Sequence, residues 1–182
     1  MTPYEKILGT LSSCTMTQRA LFTCACAERA HAVVAAIAEP ITIEFSRAAL
    51  EKAWNSVYSP VSLRSTHEEL VELPEAGIDD SNDPKYYVMR ALGLIADALC
   101  AANDEPDDVA ASAAGGALDL ASDLAHVSGE PTLPDLESAA QLDTLAALQM
   151  SETPPTMEEL RRIGRDAGEA LARAADVVSR GA

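Results

Sequence analysis

Residues 20–38 form the longest apolar run in the chain, and an adjacent acid and base, Glu28 and Arg29, stand at its centre. No other feature constrains the fold as strongly. The run is about long enough to cross a bilayer as a helix, but two central charges make a membrane span a poor reading. The remaining solution is a helix enclosed by other helices. Three, four and seven residues from Glu28 lie Leu21, Cys24, Ala25, Ala32 and Ala35; the same spacings from Arg29 give Phe22, Ala25, Cys26, Ala32, Val33 and Ala36. An isolated charge in such surroundings is costly, so each side chain needs a partner from elsewhere. Adjacent helical residues diverge by about 100° and do not face each other. The sequence therefore predicts two separate tethers. Glu28 is expected to accept from an arginine, a hydroxyl or a helix N-terminus, and Arg29 to hold a carboxylate or loop carbonyls.

The rest of the chain supplies the enclosing helices. Thr2-Pro3-Tyr4-Glu5 is a capping box with proline at the first helical position, and Thr15-Met16-Thr17-Gln18 is a second, opening the helix that carries the apolar run. Pro40 is expected to close that helix. A third helix is predicted over 46–58, with Leu50, Trp54 and Val57 on one stripe and Trp54 in the core, and a short one over 66–73. Residues 75–83 read as a loop. Further helices are expected over 83–102, from 104–106 to 126–129, over 134–150, and over 156–179. Gly164, Gly168 and Ala172 make a small-residue stripe that lets the last helix pack closely. Of the 182 residues 48% are hydrophobic but only 4% aromatic, and alanine dominates the apolar set, which suits close helices better than a sheet. The expectation is all-α: a single compact domain, 1–182, of seven or eight mostly antiparallel helices.

Net charge is −16, and it is unevenly placed. Between Thr66 and Glu152 nineteen acidic residues face two basic ones, Lys85 and Arg90, whereas the flanking segments are nearly balanced. Such a surface disfavours nucleic acid and anionic membranes and favours a basic protein partner. Asp79, Asp80, Asp104, Glu105, Asp107 and Asp108 are the candidate partner-binding residues. The four cysteines do not space as metal ligands, and Cys24 and Cys26 point about 200° apart on a helix, so reduced buried thiols in a cytoplasmic protein are expected. Residues 1–11 lack the basic start and apolar block of a signal peptide.

Gln18, Phe22, the Cys-Ala-Glu-Arg run at 26–29, Trp54, the acidic Asp79-Asp80-Ser81 loop, the tyrosine-led helix at Tyr86 and Tyr87, and the helix from Thr156 together resemble the YjaG-like family of small helical bacterial proteins. The resemblance implies an all-α fold and supplies no reaction. In its light Glu28 and Arg29 look like a structural signature.

One other constellation carries chemistry. Glu28 precedes His31 by three residues, as Asp123 precedes His126; with Glu51 and Asp97 these residues could ligate two metal ions within a bundle. Arg161, Arg162 and Arg165 could bind an anion, but Glu158, Glu159, Asp166 and Glu169 nearby suggest pairs within one helix instead. The leading expectation is a non-enzymatic protein-binding module without cofactor, of the immunity type that masks a basic partner such as a nuclease toxin. The alternatives are a carboxylate/histidine di-metal bundle enzyme or metal-binding protein, and a structural homo-oligomer.

Overall fold

In the computed structural model, residues 1–103, 108–150 and 155–181 are described. Nine α-helices and one 3₁₀ turn account for them, and no strand occurs among these residues. In chain order the helices are α1 (Pro3–Ser12), α2 (Met16–Ile37), α3 (Pro40–Tyr58), α4 (Arg64–Val71), α5 (Lys85–Ala101), α6 (Val109–Ser128), α7 (Leu133–Met150), α8 (Met157–Ile163) and α9 (Arg165–Gly181). The 3₁₀ turn, Pro74–Gly77, follows α4.

Helix α2 is the axis of the molecule. It packs against α3, α5, α6, α7, α8 and α9, and thirteen of its 22 residues are buried. By length and mean hydropathy (1.4) it could cross a membrane, but 72% of that apolar window is buried inside the fold. The sequence explains both its start and its enclosure. Thr15 and Gln18 cap each other's backbone amides, and a helix with apolar residues on every side must be covered on every side. Trp54 is fully buried against it.

Two expectations about boundaries are corrected. Pro40 opens α3 as well as ending α2, so α3 begins six residues before the predicted start at Ser46. Its exposed amides are served from outside: the Glu75 carboxylate accepts from the Glu39 amide at 3.1 Å and from the Thr42 hydroxyl at 2.6 Å. Glu75 is buried to do this, and it lies in a 3₁₀ turn rather than the predicted loop. The second correction gives nine helices instead of seven or eight. The segment 156–179 breaks at Gly164 into α8 and α9. Arg29 passes directly beneath: a Cβ on Gly164 would sit 2.8 Å from the Arg29 Cδ. Gly168 also comes close to α2, its Cβ position lying 3.6 Å from the Arg29 Cα. The stripe expected to permit close packing is therefore fitted around one arginine. The predicted start of α6 at 104–106 falls outside the described residues, while its end is as expected, with Gly129 in the left-handed conformation (φ 78°).

Candidate functional site

The two charges at the centre of α2 leave it in different directions and meet different helices. Arg29 reaches α7. Its Nε donates to Glu137 Oε2 at 2.8 Å and its Nη2 to Glu137 Oε1 at 2.7 Å, a two-pronged pair with both side chains buried. Nη1 donates to the Ala25 carbonyl at 3.0 Å, and Gln141 Nε2 donates to Glu137 Oε1 at 2.9 Å. Burial by itself would favour neutral arginine, yet the adjacent Glu137 carboxylate outweighs it and raises the pKa of Arg29. Cys26, touching Arg29 Nη2, is pushed up to about 12, chiefly by burial, so its thiol stays protonated.

Glu28 collects three donors. Arg47 Nη1 from α3 donates to Oε1 at 2.7 Å, Arg161 Nε from α8 donates to Oε2 at 3.0 Å, and Trp54 Nε1 donates to Oε2 at 3.0 Å. Arg161 also donates through Nη2 to Glu51 and lies over the Trp54 ring, 5.9 Å from its centroid. Burial alone would raise the pKa of Glu28; the Arg47 hydrogen bond and the charges of Arg47 and Arg161 overcome it and hold the carboxyl below its usual value. Glu28 is not sealed in as the sequence suggested: its side chain is 17% exposed, at the inner end of a cleft.

His31 belongs to the same network. Its Nδ1 lies 2.8 Å from Arg47 Nη2, and since a guanidinium only donates, Nδ1 accepts and the ring proton sits on Nε2. Burial, followed by the Arg47 charge, depresses His31 to about 4, so it is neutral at pH 7. Nε2 makes no hydrogen bond of full geometry and has the Ile43 backbone beside it.

The cleft encloses about 330 Å³ between α2, α3, α8 and α9. Ala25, Ala32, Ala35, Gly164 and Gly168 line it with small apolar surface, beside buried Leu160 and Arg29; Glu28, His31, Arg47 and Arg161 supply its polar wall, and exposed Glu158, Arg165 and Glu169 complete the lining. Arg161 therefore pairs across helices, not within its own as the sequence suggested, and Arg165 has no ion pair among the described residues.

The remaining predicted residues lie apart. Asp79, Asp80 and Asp108 are exposed, and Asp80 is occupied in a local turn, accepting from the Asn82 amide at 3.0 Å. Asp104, Glu105 and Asp107 lie outside the described residues. Of the six residues considered as metal ligands, Glu28, His31 and Glu51 share the cleft network, but arginines occupy them. Asp97 is half-buried on α5, raised to about 6 mainly by burial and against a Ser112 hydrogen bond. Asp123 accepts from Arg90 at 3.0 Å, and His126 is exposed. Among the described residues no group of three or more His, Cys, Asp or Glu stands close enough to hold a metal ion.

Arg47, Arg161 and Glu137 are the site residues that sequence reasoning did not identify as partners. For Glu137 a signal existed: Leu133, Glu137, Ala140, Gln141, Thr144, Leu145 and Leu148 form the buried face of α7, which places an acid and an amide in an apolar stripe. No protein-family model matches the chain, and neither a curated protein nor a solved structure matches it.

Proposed function

We propose that the chain is a non-enzymatic helical binding module that recognises a basic protein partner through its acidic surface, in the manner of an immunity protein masking a cationic toxin. The observation carrying this reading is how the charges divide. Lys85 and Arg90, the two basic residues of the acidic segment, are themselves paired, Lys85 with Glu39 and Arg90 with Asp119 and Asp123, so neither is left to offset the free acids around them. Glu69 on α4 and Glu72 at its end, Asp79 and Asp80 in the loop before α5, and Asp135 and Asp143 on α7 are exposed and form no ion pair among the described residues. Unpaired surface charge of one sign accelerates association with an oppositely charged protein and suppresses wrong partners. A cytoplasmic location and kinship with the YjaG-like family belong to the same proposal; the four free cysteines fit a reducing compartment.

Against a catalytic reading of the cleft, Glu28 is held ionised between two guanidiniums and His31 has its Nδ1 committed to Arg47, so neither is poised as a base at neutral pH. The test is co-purification and kinetics with the protein encoded by the neighbouring gene. A basic partner should bind, with an association rate that falls steeply with salt, and the Asp79→Asn/Asp80→Asn/Asp135→Asn variant should flatten that dependence. Binding with the same salt dependence in the variant would remove the acidic surface from recognition, and a catalytic turnover lost in Glu28→Gln would replace the reading with an enzymatic one.

A further inference from the structure

The geometry points to the cleft between α2, α3, α8 and α9 as a binding site for a small zwitterion of the α-amino acid class. The argument begins with unspent donors. Arg47 uses Nη1 and Nη2 on Glu28 and His31, and Arg161 uses Nε and Nη2 on Glu28 and Glu51. That leaves Arg47 Nε and Arg161 Nη1 without acceptors among the described residues. The carboxylates do more than neutralise these side chains. By gripping both sides of one Glu28 carboxyl, the two guanidiniums are fixed next to each other at the inner end of the cleft, and the Trp54 ring beneath Arg161 limits its movement. Donors held in this way recognise a carboxylate without further ordering cost.

The outer lining carries the opposite requirement. Glu158 and Glu169 are exposed and unpaired among the described residues, and Arg165 between them in sequence is also unpaired. A ligand with only negative charge, such as phosphate, would meet two free carboxylates on its way in. A ligand with only positive charge would leave the free Arg47 Nε and Arg161 Nη1 donors at the inner end unanswered. A molecule holding a carboxylate and an ammonium on adjacent atoms satisfies both, with its side chain over the alanine and glycine floor. The volume, about 330 Å³, is at the small end of the roughly 300–1,000 Å³ typical of small-molecule sites. The site is separate from the acidic surface of residues 66–152 and stands without it.

Isothermal titration calorimetry on the full chain tests this, using the free α-amino acids singly, with sodium acetate, methylammonium and inorganic phosphate as controls. At least one amino acid should saturate at one per chain, and the three controls should not bind at the same concentration. Arg165→Ala and Glu158→Gln/Glu169→Gln alter only exposed, unpaired side chains, so their ligand-free melting temperatures should match the parent. Glu158→Gln/Glu169→Gln should weaken binding of the best amino acid roughly tenfold, about 1.4 kcal/mol, whereas Arg165→Ala, which removes a cation from the outer lining, should not weaken it. The proposal is overturned if no amino acid saturates, if phosphate or acetate binds as well as the best amino acid, or if Glu158→Gln/Glu169→Gln binds as the parent does.

Discussion

At the scale of single residues the molecule depends on charges that have been withdrawn from water and matched. Removing one member of a buried ion pair strands the other, at a cost of roughly 3–5 kcal/mol, whereas replacing both with apolar groups is often neutral or stabilising. Glu137→Leu should therefore destabilise strongly by thermal or urea unfolding, and Arg29→Met/Glu137→Leu should recover most of the loss; a double variant as unstable as the single would show that Arg29 is needed for more than pairing. Two titrating residues predict opposite pH effects. His31 has a folded value of about 4, below its ordinary 6.5, so the unfolded chain takes up the proton first and stability falls as pH drops from 6.5 towards 4. Asp97 has a folded value of about 6, above its ordinary 3.8, so its ionisation costs stability as pH rises through that interval. Asp97→Asn should raise stability at pH 7 by about 1–2 kcal/mol, allowing for the screening of a half-exposed group, and the gain should vanish near pH 4. His31→Gln should flatten the acid limb of the parent's pH–stability profile. Profiles unchanged by either substitution would mean these side chains are not perturbed by the fold.

At the scale of elements, two helices depend on side chains from distant parts of the chain. The start of α3 lacks a side-chain cap of its own and borrows the Glu75 carboxylate. Glu75→Ala should cost about 0.5–2 kcal/mol, the range for losing a helix cap, with faster amide exchange at Ile41 to Ile43. Helix α8, seven residues long, could not persist alone. Leu160 is its buried anchor and Arg161 its latch to Glu28 and Glu51. In Arg161→Ala, amides of 157–163 should exchange faster while those of α2 keep their protection; equal exchange throughout would mean that α8 opens only when the whole molecule unfolds.

At the scale of the whole molecule, a net charge of −16 on 182 residues implies self-repulsion in the folded state. The pairs that matter most are shielded from solvent ions, but the acidic surface is not. Raising ionic strength from about 0.01 to about 0.15 M, where the Debye length shrinks from about 30 to about 8 Å, should increase the melting temperature. A fall would assign more stability to exposed ion pairs than to relief of repulsion.

The sequence by itself determined the all-α class, the capped starts of α1 and α2, the central position of α2 and the burial of Trp54. These follow from local periodicity and capping chemistry, which act within a few residues. It also required partners for Glu28 and Arg29, because an unpaired charge in that apolar run is untenable. The identity of the partners was not legible. Arg29 lies 108 positions from Glu137, and Glu28 lies 133 from Arg161. Several acids and arginines elsewhere in the chain had equal claim. Only packing chose among them: the stripe that turns Glu137 inward, the break at Gly164 that makes room for Arg29, and the seating of α8 that brings Arg161 over Trp54. The cleft is likewise tertiary, since a gap between four helices exists only once all four are in place.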